Sequence, residues 1–189
     1  MNGRTSTVTA GPAPGPASAM TAAAAVHPLV AGGAGHQPGT RPWPLFTGLG
    51  PMGALPTAPG LARAFTALTL GNWDLTGVPD LPDISELIAS ELSTNVVRSA
   101  TREDGSAVYQ ADGRLTQMWL RLMSDRMQVQ IEIWDNLPPS AGVPVLRDPE
   151  ESEEHGRGLQ MVDRLSRDWG WRLVPAMQTK FVWVLLDVR

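Results

Sequence analysis

A chain of 189 residues with 42% hydrophobic and 18% charged residues can build one ordinary core and is short for two. Its net charge of -4 and pI near 5.3 argue against the basic surface that a nucleic-acid binder needs, so a protein partner or a small molecule is expected and direct nucleic-acid contact is not. With no cysteine there is no disulfide, zinc-thiolate or thiol chemistry. That fits a reducing cytoplasm, and no apolar run approaches the roughly 18 residues that span a bilayer, so a soluble, cytoplasmic protein without a membrane segment is expected.

Residues 1–60 hold 10 of the 17 prolines and 11 of the 19 glycines, with Arg4 and Arg41 as their only charged residues. Such a stretch has few large apolar side chains to offset the entropy of ordering it. The expectation is a disordered tail over 1–45, with Trp43, Leu45 and Phe46 docking on a single domain over 46–189.

From Pro56 the pattern becomes regular. Leu61, Phe65, Leu68 and Leu70 predict a helix over 58–70, stopped by Gly71. Asp83 and Glu86 form a capping-box pattern that opens a second helix, carrying Ile84, Leu87, Ile88, Leu92 and Val96 and ending near Ala100. Ala107 to Ala111 reads as a short strand. Leu115 to Met123 and Met127 to Trp134 read as a hairpin turning at Ser124-Asp125-Arg126. A long acidic loop over 138–154 precedes a third helix over 156–168, and strands over 171–174 and 181–188 complete the sheet. This order is that of an α+β layer, with helices on one sheet face.

Three pieces carry candidate chemistry. In Glu91-Leu92-Ser93-Thr94-Asn95 the acid and the amide are four apart, hence on one helix face. The carboxylate could deprotonate or orient an attacking hydroxyl, and the amide oxygen could ligate Mg²⁺; the alternative is a solvated helix face. Asp135 ends a strand in which Val129, Ile131 and Ile133 alternate with Gln128, Gln130 and Glu132. It could accept a hydrogen bond from an exocyclic amine, or it could cap the following turn. Gly156-Arg157-Gly158 opens a helix where free N–H groups receive phosphate, with His155 and Arg157 adding donors; the alternative is a flexible loop entering a helix.

Taken in order, Glu91 to Arg98, Glu132-Ile133-Trp134-Asp135, His155-Gly156-Arg157-Gly158-Leu159-Gln160-Met161-Val162, Trp169-Gly170 and Lys180-Phe181-Val182-Trp183 resemble the anti-sigma-factor serine kinase branch of the GHKL ATPases. More narrowly, the chain resembles the small ATP-binding regulatory proteins of actinomycetes, over residues 55–188. The resemblance implies a Bergerat two-layer α/β sandwich, with a mixed, mostly antiparallel sheet and about three helices on one face. It implies ATP and Mg²⁺ as cofactors, Glu91 as catalytic base, Asn95 as magnesium ligand and Asp135 as the adenine-binding acid. Nucleotide contacts from His155, Gly156, Arg157, Gly158, Leu159 and Lys180 follow from the same motifs. The implied activity is transfer of the γ-phosphoryl group to a serine or threonine of a partner protein, an anti-sigma antagonist, with a sigma factor as a second partner. Homodimerisation is implied by analogy alone.

The chain departs from the pattern at two points. Asn136-Leu137-Pro138-Pro139 stands where a glycine-x-glycine turn is expected, and Phe181 where a threonine is. Two classes of function therefore stay open: a protein serine/threonine kinase, or a non-catalytic module with a degenerate nucleotide site that sequesters a sigma factor or another regulator. A histidine-kinase fragment is excluded, because His27, His36 and His155 offer no phosphoacceptor helix. Trp119, Trp134, Trp169, Trp171 and Trp183 read as core packing, and Met118, Met123, Met127 and Met161 as core filler. Arg121 and Arg126 read as surface partners of Asp125 or Glu132.

Overall fold

The computed structural model describes residues 43–110, 112–138 and 157–189, with Arg157 represented by its backbone alone. Five strands and three helices follow one another as β1 (Leu45–Gly53), α1 (Ala58–Asn72), α2 (Leu81–Ser99), β2 (Gln117–Ser124), β3 (Gln128–Asp135), α3 (Arg157–Leu165), β4 (Asp168–Val174) and β5 (Thr179–Asp187). The strands form one sheet in the order β1-β2-β3-β5-β4, and each of its four pairings is antiparallel. The expectation of a mixed sheet is thus corrected for the described residues. The α+β class, with a helix layer on one face, is observed.

Helix α1 begins with Pro59 in its first turn, where the missing N–H costs nothing, and buries Ala58, Ala62, Thr66, Thr69 and Leu70. It runs past Gly71 to Asn72, and the Leu75 amide then closes the end on the Leu70 carbonyl. In α2 the buried set is Leu81, Ser85, Ile88, Ala89, Leu92, Ser93, Val96 and Val97, the three-and-four spacing of a single helical stripe. The capping box expected at Asp83 is corrected: the helix starts at Leu81 behind Asp80, whose φ is 60°, and no side chain caps it. Pro82 and the Ile84 amide on the Asp80 carbonyl set the start instead. Truncating Ile88, which is 1% exposed, to alanine should cost about 2–5 kcal/mol.

The β2–β3 hairpin turns where the sequence places it. Asp125 Oδ1 accepts from the amides of Met127 and Gln128, and Arg126 takes the left-handed conformation at φ 67°. One expectation on strands fails, and one strand is unforeseen. The described part of 107–111 contributes only isolated bridges, Thr101 to Ala107 and Tyr109 to Leu115, and β1 is a strand that composition hides. Glycine and proline make up so much of Leu45–Gly53 that period-two reading passes over it. Gly50 explains one of those glycines, since its φ is 138° and a Cβ there would lie 2.6 Å from the Trp119 ring. The strand begins at the edge of the expected tail, whose residues 1–42 lie outside the described residues.

Alternation sorts the sheet into two faces. Met118, Leu120, Leu122, Val129, Ile131, Ile133, Val182, Val184 and Leu186 face α1, α2 and α3 and form the main core with them. Trp119, Trp134, Phe181 and Trp183 cluster on the opposite face. Met127 does not join either core, being 62% exposed at the hairpin tip. Among the described residues no helix is long and apolar enough to cross a membrane.

Candidate functional site

Glu91 and Asn95 lie one turn apart on α2, at positions that are half-buried between the core residues Leu92 and Val96 and the exposed Arg98. Neither side chain has a hydrogen-bond or ion-pair partner among the described residues. They are therefore not committed to a structural network there.

Helix α3 packs against α2, and Leu159 and Val162 anchor it in the core at 9% and 1% exposure. That anchoring brings Gly158 onto Glu91. A Cβ added to Gly158 would lie 2.7 Å from Glu91 Oε2 and 3.7 Å from the carboxyl carbon, so the absence of a side chain there is what gives the carboxylate its room. The acid on α2 and the second glycine of the Gly-Arg-Gly sequence, 67 positions apart in the chain and at the start of α3, are thus neighbours. His155, Gly156 and the Arg157 side chain lie outside what is described.

Asp135 ends β3 two residues beyond Ile133, which puts it on the helix face, 2% exposed. Lys180, directly across the β3–β5 register, donates from Nζ to Asp135 Oδ1 at 2.8 Å, and the Leu137 amide donates to the same oxygen at 3.0 Å. Burial pushes the Asp135 carboxyl up from its ordinary range, against the opposing pull of the Lys180 hydrogen bond and charge and of the Leu137 amide. The turn-capping alternative for Asp135 is real, since the Leu137 amide takes it up. Both bonds go to Oδ1, which leaves Oδ2 uncommitted among the described residues.

Phe181, at the position where the resemblance implies a threonine, points away from this group. It follows Lys180 by one residue, so it lies on the other face, stacked on Trp134 with ring centroids 4.2 Å apart and planes 13° apart. It cannot narrow a site on the helix face. Asn136 extends the edge of β3 instead of forming a loose turn, exchanging bonds with the Gln117 backbone through both its amide and its side-chain oxygen.

Local pattern does not predict the pairing of Lys180 with Asp135, although the hairpin registers hint at it. Counting from the β2–β3 turn fixes β3, but β5 aligns to it only across a long excursion, so its register is open until the sheet is built. Arg121 is a correction: its partner is Glu132, one of the two acids expected, but the pair is buried at 6% and 3% side-chain exposure and not on the surface. No protein-family model matches this chain, and no curated protein matches it significantly.

Proposed function

We propose that this chain is an ATP-binding regulatory protein that transfers the γ-phosphoryl group to a serine or threonine hydroxyl of a partner protein, as the anti-sigma-factor serine kinases it resembles do. The observation that carries the reading is the approach of Gly158 to Glu91, so close that a Cβ on the glycine would lie only 2.7 Å from Oε2. A carboxylate without a partner among the described residues, Gly158 in the first turn of α3 at its side and an amide one turn away, equally without a partner among the described residues, make up the groups that phosphoryl transfer needs.

In this reading Glu91 takes the proton of the attacking hydroxyl while the new O–P bond forms and the bond to the departing ADP oxygen breaks. Backbone N–H groups at the start of α3, at Arg157, Gly158 and Leu159, receive phosphate oxygens, and contacts from His155 and Gly156 are those the resemblance implies. Asn95 would hold a magnesium ion that neutralises charge on the phosphates, and phosphate and water would complete its shell, since no group of three acidic or histidine ligands gathers among the described residues. Asp135 uses Oδ2 for the exocyclic amine of adenine while Lys180 fixes Oδ1. The partner class is an anti-sigma antagonist or a sigma factor, and a cytoplasmic setting and a Bergerat arrangement of the fold belong to the same proposal.

A second reading is favoured by one feature. Lys180 already neutralises Asp135, and Asn136-Leu137-Pro138 stiffens the segment beyond it, which suits a partner-sequestering module that has given up its nucleotide. Incubation with γ-labelled ATP, Mg²⁺ and candidate antagonist proteins separates the two. Label on a partner that disappears with Glu91→Ala supports the kinase. Intact partner binding without any transfer leaves the module.

A further inference from the structure

The helix face that holds Glu91 and Asn95 carries one more polar group in line with them. Arg98 lies seven residues beyond Glu91 on α2, which brings it to within about 20° of Glu91 around the helix and roughly 10 Å further along it. Asn95 stands between the two, about one turn from each. Side chains on a helix lean toward its N-terminus, so a guanidinium at this position can reach back over the turn that bears Asn95. Arg98 is exposed, and like Glu91 and Asn95 it has no hydrogen-bond or ion-pair partner among the described residues.

Charge gives this arginine a task. A magnesium ion offsets only part of the charge of a triphosphate, and the Glu91 carboxylate adds a further negative group, so a phosphoryl donor on this face calls for a cation from the protein. The other basic side chains of the described residues are engaged or placed elsewhere. Lys180 is held on Asp135, Arg63 on Glu86, Arg102 on the Ala107 carbonyl and Arg126 on the Trp73 carbonyl, and the other engaged arginines sit on Asp112, Glu132 and Asp187. Arg172 lies across from Phe181 and thus on the outer face. Arg164 is six residues past Gly158, about two-thirds of a turn around α3 from the glycine that meets Glu91. Among the described residues, Arg98 is therefore the cation left for this face.

We propose that Arg98 is a substrate-contacting residue whose guanidinium donates to oxygens of the γ-phosphoryl group, and so raises the affinity of the site for ATP relative to ADP. A planar fork of N–H donors suits a phosphoryl group, whose oxygens can take two of them at once. The proposal rests on the reading of the helix face as a nucleotide site. An arginine in the last turn of α2 also meets the negative end of the helix dipole, but that role is the same whichever nucleotide is bound.

Calorimetric titration of the full chain with ATP and with ADP, both in Mg²⁺, separates the two roles. In Arg98→Ala the affinity for ATP is expected to fall about 10-fold or more, the loss of a charge-assisted hydrogen bond, while the affinity for ADP stays within about twofold. Arg98→Lys keeps the charge and loses the fork, so its affinity for ATP should lie between those of the native chain and Arg98→Ala, again with ADP unchanged. Equal weakening of ATP and ADP would assign Arg98 to the helix end, and unchanged affinity for both would leave it a solvated side chain; either result overturns the proposal. If the native chain binds neither nucleotide, the nucleotide reading itself fails and takes this proposal with it, whereas native binding with an unaltered ATP-to-ADP ratio in Arg98→Ala sinks the role of Arg98 alone.

Discussion

Strand β3 carries two buried acids three residues apart, and the two faces of the sheet treat them differently. Glu132, on the outer face, receives Arg121 and the Trp134 indole on Oε2, at 2.6 and 2.8 Å, and Gln130 on Oε1 at 2.6 Å, so both of its oxygens are engaged. Arg121 lies over the Trp134 ring as well, 5.2 Å from its centroid. Asp135, on the helix face, has both of its donors among the described residues on one oxygen. An acid with both oxygens engaged fixes a surface in one arrangement, whereas a half-engaged acid on the face that also holds a carboxylate and an amide without partners among the described residues keeps capacity for a ligand. Alternation along a single strand thus separates a structural polar node from a candidate site.

Substitutions can break that contrast in order of size. Arg121→Met leaves Glu132 buried without its cation, and denaturant unfolding should show a loss of about 3–5 kcal/mol. Asp135→Asn keeps an acceptor for Lys180 and the Leu137 amide, and should cost less than that while impairing nucleotide binding. Gly170→Ala comes next. Its Cβ would sit 2.9 Å from the Trp183 ring, a rigid group in the outer cluster, so a loss of about 1–3 kcal/mol is expected with the proposed phosphoryl transfer unchanged per folded molecule.

Gly158→Ala should behave in the opposite manner. The atom it meets is the end of a flexible glutamate, and alanine is the better helix former by up to about 1 kcal/mol, so thermal unfolding should move little or slightly upward. The proposed phosphoryl transfer should nevertheless be lost, because the carboxylate must swing away. A stability loss comparable with that of Gly170→Ala would show that Gly158 serves packing alone.

The smallest effects are those of pH. Asp135 has its folded pKa raised by burial, so its contribution to stability is present below the unfolded value of 3.8 and fades as pH rises through the folded value. For Asp187 burial pulls upward but is outweighed by bonds from Gln128, Arg167 and Arg189, and the folded pKa is lowered. Its contribution is present above 3.8 and fades as pH falls below it. The stability gap to Asp135→Asn should therefore narrow with rising pH, and the gap to Asp187→Asn should narrow with falling pH. Unfolding titrations of the two variants against the native chain check both slopes.

Much of the helix layer was legible in the residues, because Ile84, Leu87, Ile88 and Leu92 recur at three- and four-residue spacings that a helix satisfies and a strand's period of two does not. So was the hairpin, whose turn at Asp125 is closed by its own side chain. Strand β1 was not, since its glycines and Pro51 carry no period and its pairing partner is about 70 residues away. The outer face was misread for a related reason. Gln130 and Glu132 alternate with apolar neighbours as exposed residues do, and only a long-range partner, Arg121, reveals that they are buried. In the candidate site, Glu91 and Asn95 were readable as a helical pair, and Asp135 as an acid at a strand end. The approach of Gly158 to Glu91 and the bond from Lys180 to Asp135 depend on how α3 and β5 dock, which no local spacing encodes.

Calorimetric titration of the full chain with ATP, in the presence and absence of Mg²⁺, bears most directly on a nucleotide site at the helix face. Saturable binding that tightens with the metal, loses that tightening in Asn95→Ala and disappears in Asp135→Asn is the expected outcome. Heat indistinguishable from dilution, or binding indifferent to both Mg²⁺ and Asn95, would contradict it.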